Sequence, residues 1–189
     1  MGLSTAFKFL LGPQNFIYKL HIHLLSQLLS KGLDGDDPHL FTDEERNSVR
    51  LINNIIFSAG QLSVNYTTYD VRRDRDTINP NAHPYVMLRS PEVGAGVHPY
   101  WYAQVLSIYH ANVSTTHPAA PRHSAQRMEF LWVRWLGIEP GYCSGSKVAR
   151  LPKVGFVEDA NEDAFGFLDP RPHHPGRSSH PRLQFRADL

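Results

Sequence analysis

Two stretches rich in aromatic and β-branched residues constrain this chain more than anything else in it. The first is HPYWYAQVLSIYHANV, from His98 to Val113, and the second is RMEFLWVRWLG, from Arg127 to Gly137. By composition both are strands. Side chains alternate across a strand. Regular alternation puts Trp101, Ala103, Val105, Ser107 and Tyr109 on one face, and Tyr102, Gln104, Leu106, Ile108 and His110 on the other. In the second stretch Phe130, Trp132 and Arg134 alternate with Leu131, Val133 and Trp135. Trp132 and Trp135 then belong to opposite faces, and at most one enters the main core. Between the strands, Ser114 to Gln126 holds Pro118 and Pro121 among polar residues, a surface loop rather than a tight hairpin.

The rest of the chain reads as additions to this pair. From Gln14 to Ser30, Phe16, Ile17, Leu20, Leu24, Leu25, Leu28 and Leu29 recur at helical spacing, and Gly32 ends the pattern. Thr42-Asp43-Glu44-Glu45 is a capping box, in which Thr42 and Glu45 each bond the other's backbone amide. Behind it Val49, Ile52, Ile56 and Phe57, widened by Leu51 and Ile55, predict a second helix over Asp43 to Phe57, ending at Gly60. LSVNYTTYDV, Leu62 to Val71, predicts a strand. RRDRD follows, mixed in charge and near neutral, and NPNAHP after it is turn-rich. Tyr85 to Leu88, Val154 to Val157 and Ala164 to Leu168 are short strands, and Glu139-Pro140-Gly141-Tyr142 is a turn. The expected architecture is α+β: a helical arm over 1–60, a small, twisted, mostly antiparallel barrel-like sheet over 61–170, and an irregular tail over 171–189.

The chain has 189 residues and a net charge of +1, which makes no global case for nucleic acid or an acidic membrane. No apolar run is long enough to span a bilayer. Cys143 is the only cysteine, which excludes an internal disulfide and a zinc finger and fits a reducing compartment. The glycosylation patterns at Asn65 and Asn112 fall inside predicted strands and are discounted.

Candidate chemistry is sparse. Asp34, Asp36 and Asp37 resemble a fragment of a calcium loop, but the later ligands do not follow at the required spacing. Asp70, Asp74 and Asp76 are interleaved with arginines that neutralise them on a surface. His21 and His23 point to different sides of a helix, and His173 and His174 lack partners. No phosphate loop, nucleophile elbow or dinucleotide glycine pattern is present, and Cys143 has no base placed beside it. The expectation is a non-enzymatic protein with no metal and no cofactor. The enriched feature is aromatic: Tyr100, Trp101, Tyr102, Trp132 and Trp135. Most of these suit a core, and one or two facing outward suit a ligand such as a cationic side chain. Arg72, Arg73 and Arg75, with Lys147, Arg150 and Lys153, are the candidates for phosphate contacts. Arg122 and Arg127 form a third short basic spot, read as solvated surface.

These residues carry a resemblance. LINN, LSVNYTTYDVRRDRDTINPNAHPYVMLRSPE, HPYWYAQVLSIYHANV, RMEFLWVRWLG and KVGFVEDANEDAFGFLDP resemble the carboxy-terminal region of large proteins encoded by fungal DNA transposons of the Plavaka and KDZ type. The likeness runs from Phe16 to Pro170, and NYTTYDVRRD and FGFLDP are its most specific motifs. In that family this region lies outside the transposase catalytic core and has no assigned activity. The two long strands also resemble a bromo-adjacent homology module, a strand-rich fold that binds chromatin. Together these imply an intracellular, nuclear interaction module left from a transposon protein, with a histone or other chromatin peptide as partner. The alternatives are a DNA-binding accessory domain and a degenerate reading frame without activity.

The resemblance also bears on the tail. The family continues after FGFLDP with a hydrophobic segment close to VIRAVHLIPAF, whereas this chain continues with RPHHPGRSSHPRLQFRADL. A histidine codon followed by His or Pro, read from its second base, encodes only Ile or Thr. This occurs after His173, His174 and His180, where the shifted reading LIIRAVHLIPAFNFGRT from Pro172 has Ile. The expectation is a shifted frame from about Pro172, with the loss of a final strand and an exposed apolar edge.

Overall fold

The computed structural model describes residues 15–31, 40–67, 73–90, 92, 94, 97–121, 123–142 and 149–171. In order along the chain, the elements are α1 (Phe16–Leu28), α2 (Asp43–Asn47), β1 (Val49–Leu51), β2 (Phe57–Ala59), β3 (Leu62–Thr67), β4 (Arg73–Ile78), β5 (Tyr85–Arg89), β6 (Tyr100–Thr115), β7 (Gln126–Ile138), β8 (Val154–Phe156) and β9 (Phe165–Leu168). The architecture is α+β and mostly sheet. β6 and β7 form a long antiparallel ribbon, from Tyr102 opposite Leu136 to Val113 opposite Gln126. Short strands complete both edges of this ribbon. β1, β2 and β5 pair along β6, and β8 and β9 pair along β7. β3 and β4 make a separate two-stranded sheet. The larger sheet is open: among the described residues no pairing joins its two edges into the expected barrel.

The ribbon is buried on both faces at its middle, where Leu131, Trp132 and Val133 are consecutive and all buried. A continuous apolar run is the signature of a strand covered on both sides. One face packs Ala111, Val113, Met128, Phe130, Trp132 and Phe167 against α1. α1 covers it with Phe16, Leu20, Leu24, Leu25 and Leu28, each such buried side chain contributing about 1.5–3 kcal/mol. Lys19 fixes the helix further, its Nζ donating to the Phe165 carbonyl at 2.7 Å. The opposite face packs Val86, Leu88, Ala103, Val105, Ile108, Leu131, Val133 and Leu168 with Ile78 of β4, while Leu62 and Val64 of β3 close over them.

Regular alternation does not survive along β6. Val105 lies opposite Val133 and Ser107 lies opposite Trp132, so Leu106 is an extra residue and the strand is bulged. A bulge exchanges the faces of every later side chain. Trp101, Ala103 and Val105 therefore share a face with Ile108, whereas Tyr109, Ala111 and Val113 line the helix-covered face. The expected grouping of Trp101 through Tyr109 on one face is corrected accordingly.

The second helix is also shorter than its apolar periodicity predicts. The capping box forms, with Glu45 N donating to Thr42 Oγ1 at 3.3 Å and Thr42 N to Glu45 Oε2 at 2.8 Å. The helix nevertheless stops at Asn47. Val49–Leu51 pairs with β6 instead, and Asn53 and Asn54 turn the chain at φ 58° and 52°. Asparagine tolerates that left-handed region, Ile52–Asn54 forms a short 3-10 turn, and β-branched Val49 and Ile55 lose little in extended backbone. The described residues of 1–60 are thus not a helical arm apart from the sheet: α1 covers it, and β1 and β2 extend it. From Arg73 the mixed-charge run is strand β4, which its composition did not signal, with Thr67 opposite Arg73 and Leu62 opposite Ile78. The tail beyond Arg171 lies outside the described residues.

Trp132 is 6% exposed between Phe16 and Phe167, while Trp135 is half-buried at the rim of the other core. Trp132→Ala is expected to cost about 3–5 kcal/mol, and Trp135→Ala clearly less. Equal losses in denaturant unfolding would contradict this assignment of faces.

Candidate functional site

The two coverings are offset along the ribbon. α1 shields one face around Tyr109–Val113 and Met128–Trp132, and the β3–β4 hairpin shields the other around Trp101–Ile108 and Leu131–Trp135. Among the described residues, no layer covers the other two quarters of the sheet. On the hairpin-covered face, the far quarter carries His110, Asn112, Arg127 and Glu129, with an Arg127–Glu129 ion pair at 3.4 Å. Burial holds the His110 imidazole below its ordinary pKa, and the Arg127 charge adds to this. That quarter is mostly polar, as an outer sheet face is expected to be, with Phe57 of β2 half-buried and stacked on the His110 ring at 5.1 Å.

The other open quarter is apolar and aromatic. Directly paired residues in adjacent strands share a face. Met87 of β5, Tyr102 of β6, Leu136 of β7 and Phe156 of β8 form one row across the sheet. Tyr85, Gln104, Arg134 and Phe165 form the next row, and Arg89 and Tyr100 the third. Val86 and Leu88 point into the core behind, so Tyr85, Met87 and Arg89 point outward. Tyr85, Tyr100 and Phe156 are 43%, 39% and 45% exposed.

Local contacts hold this face in shape. His98 lies against both tyrosines, its ring centroid 6.1 Å from that of Tyr100 and 5.8 Å from that of Tyr102. Tyr100 N donates to His98 Nδ1 at 3.2 Å. Partial burial pushes the Tyr102 phenol above its ordinary pKa, and neighbouring Tyr100 adds to the effect. Arg134 lies with its guanidinium carbon 4.3 Å from the Phe156 ring centroid and 5.6 Å from that of Phe165, and it pairs with Asp159.

The five aromatic candidates therefore separate into three groups. Trp132 is core. Trp101 and Trp135 meet edge to face at 5.7 Å on the hairpin-covered side. Tyr100 and Tyr102 alone reach the open quarter. Tyr85, Met87, Leu136 and Phe156 join them there and were not among the candidates. The alternation in YVMLR pointed to Tyr85 and Met87, but nothing local showed which of its two faces is covered.

The basic candidates are not gathered into one patch among the described residues. Arg75 Nη2 donates to Ser63 Oγ at 2.7 Å on the hairpin. Lys153 pairs with Glu139 at 2.6 Å, and that bond raises its pKa. Arg150 is exposed. The backbone of Arg73 belongs to β4. Arg72 and Lys147 lie outside the described residues, as do Asp34, Asp36, Asp37, Asp70, Cys143, His173 and His174.

Two polar clusters elsewhere are structural. His23 is buried on α1, 3.1 Å from Gln27 Nε2 and against Phe167. At the far end of the ribbon, Ala119 N donates to His117 Nδ1 at 3.2 Å, which leaves Nε2 as the proton-bearing nitrogen, 3.5 Å from Glu45 Oε1. Such an imidazole cannot take a proton from a nucleophile through Nε2. Among the described residues no three His, Cys, Asp or Glu side chains gather to hold a metal ion, and no helix is long and apolar enough to cross a membrane. Comparison with protein families, with curated proteins and with solved structures finds no match to this chain.

The Glu45 cluster makes a pH prediction. Bonds from Thr42, then from His117, hold the Glu45 carboxyl below its ordinary pKa of 4.5. A depressed carboxylate stabilises the fold fully above the unfolded value and loses that contribution as pH falls through the folded one. Glu45→Ala is expected to lower the unfolding midpoint at neutral pH. The gap from the native chain should narrow as pH falls from 4.5 through the depressed folded pKa, read from thermal unfolding across the acid range.

Proposed function

We propose that this chain is a non-catalytic interaction module, and that the open aromatic quarter of its sheet is the surface that meets a polypeptide partner. One observation carries the reading. Three of the four quarters of the sheet are either covered or polar, and the fourth sets Tyr85, Met87, Tyr100, Tyr102, Leu136 and Phe156 side by side on an exposed face. A contiguous exposed apolar patch is where a partner gains most from excluding water. Rigid tyrosines supply contact area at small entropic cost and are enriched where binding energy concentrates.

The resemblance to transposon-encoded carboxy-terminal regions and to chromatin-binding modules makes a histone or other chromatin peptide the first partner class to test, in a nuclear setting. Nucleic acid fits the described surface less well, because Lys153 is neutralised by Glu139 and lies on a different element from Arg75. A DNA-binding protein draws its affinity from several uncompensated cations.

The test is fluorescence anisotropy of the whole chain against a histone-tail peptide array and against duplex DNA at two salt concentrations. Peptide binding that falls about tenfold in Tyr100→Ser and in Phe156→Ser is expected, with little change in stability because both residues are exposed. Binding to duplex DNA that weakens steeply with salt and ignores both substitutions would overturn the reading.

A further inference from the structure

The open quarter ends on an unpaired strand edge. Among the described residues β5 pairs with β6 alone. Its bonding phase follows from two backbone bonds that flank it. Ser90 N donates to the Pro99 carbonyl at 2.9 Å, and Val105 N donates to the Pro84 carbonyl at 2.6 Å. Antiparallel pairs alternate between bonded and non-bonded. With Tyr85 opposite Gln104 and Arg89 opposite Tyr100, Val86 and Leu88 bond to β6, while Tyr85, Met87 and Arg89 do not. The N–H and C=O groups of those three residues point away from the sheet. The same three residues present their side chains on the open aromatic face. Edge strands of this kind are ordinarily blunted, because they template pairing with another chain.

We propose that the outer edge of β5 receives an extended peptide segment as an added strand, and that the segment's alternate side chains lie on the aromatic quarter. The proposal rests on the reading of the partner as a polypeptide. The edge selects this occupant by its chemistry. A row of backbone donors and acceptors at strand spacing is matched by another backbone and not by a duplex. Residues of the segment opposite Tyr85 and Met87 fall beside the apolar rows and are apolar. The residue opposite Arg89 is acidic: Arg89 is exposed and has no hydrogen bond or ion pair among the described residues. The recognised pattern is a carboxylate, an apolar residue and an aromatic residue at every second position.

The experiment uses the whole chain and a labelled probe with Glu, Val and Tyr at positions i, i+2 and i+4, separated by threonines. Met87→Pro deletes one outward N–H without removing a bond to β6, and is expected to weaken the probe about tenfold or more. N-methylation of the probe tests the same bonds without altering the protein. Methyl groups on alternate amides abolish binding, and those on the intervening amides spare it. Arg89→Glu weakens the Glu probe and strengthens a matched Lys probe, each about fivefold. Binding that falls with Tyr102→Ala but ignores Met87→Pro and the position of N-methylation overturns strand addition and keeps the aromatic face. A dimer of the free chain that dissociates in Met87→Pro, seen by sedimentation, overturns the proposal by assigning the edge to a second copy. Failure of the probe and of every histone-tail peptide to bind overturns this proposal and the reading it rests on together.

Discussion

The pairing of β6 with β7 is the interaction on which the rest of the structure depends. Among the described residues seven strands belong to the larger sheet, and the other five each bond to one of these two. Five are three to five residues long, too short to be stable alone. They hold because the ribbon supplies a preformed edge. The same ribbon fills both cores, since Phe130 and Trp132 point toward α1 while Leu131 and Val133 point toward the hairpin. Loosening it would release both layers together, so the sheet is one cooperative unit.

The bulge at Leu106 lets one ribbon serve two coverings that lie at different places along it. Without it, the apolar side chains of β6 would keep to a single face over the length of the strand. With it, Ala103 and Val105 meet the hairpin, and Ala111 and Val113 meet the helix. The price is one residue outside the ladder. The consequence is that each face of the sheet is covered over only part of its length. Among the described residues, the open aromatic quarter follows from the register shift, which places the two coverings at different positions along the ribbon.

Much of this was legible in the sequence, and the failures have physical reasons. The α1 helix, the capping box, both long strands and the short strands β3, β5, β8 and β9 were readable because each announces itself within a few residues. The bulge was not, because one inserted residue leaves composition unchanged and only a partner strand reveals it. The helix predicted through Phe57 failed because Val49, Ile52, Ile55 and Ile56 satisfy helical spacing yet are β-branched, or sit beside β-branched neighbours. The free edge of β6 decided between the two states. β4 was not legible as a strand because alternating Arg and Asp carry no apolar signal, and the strand has only Ile78 to bury among its described side chains. At the candidate site, composition singled out Tyr100 and Tyr102 as aromatic, but it could not tell buried Trp132 from them. Exposure depends on where α1 ends, which is tertiary information.

Aromatic residues on a sheet have two ordinary uses, and position separates them here. Trp132 touches Phe16, Phe165 and Phe167 with ring centroids 4.7–5.9 Å apart, and its neighbours exclude water on every side. Tyr85 and Tyr100 stand at strand positions of the same face, past the end of the helix, where a polar residue would serve folding as well. Phe156 goes further: a phenylalanine on a three-residue edge strand adds little to the core and leaves much of its ring in water. Part of its ring is covered by Arg134, whose guanidinium is anchored in turn by Asp159. That arrangement keeps the aromatic surface flat and spaced rather than collapsed onto itself. A face so held loses little conformational freedom when a second backbone settles beside it, and rigidity before contact is what binding surfaces gain most from.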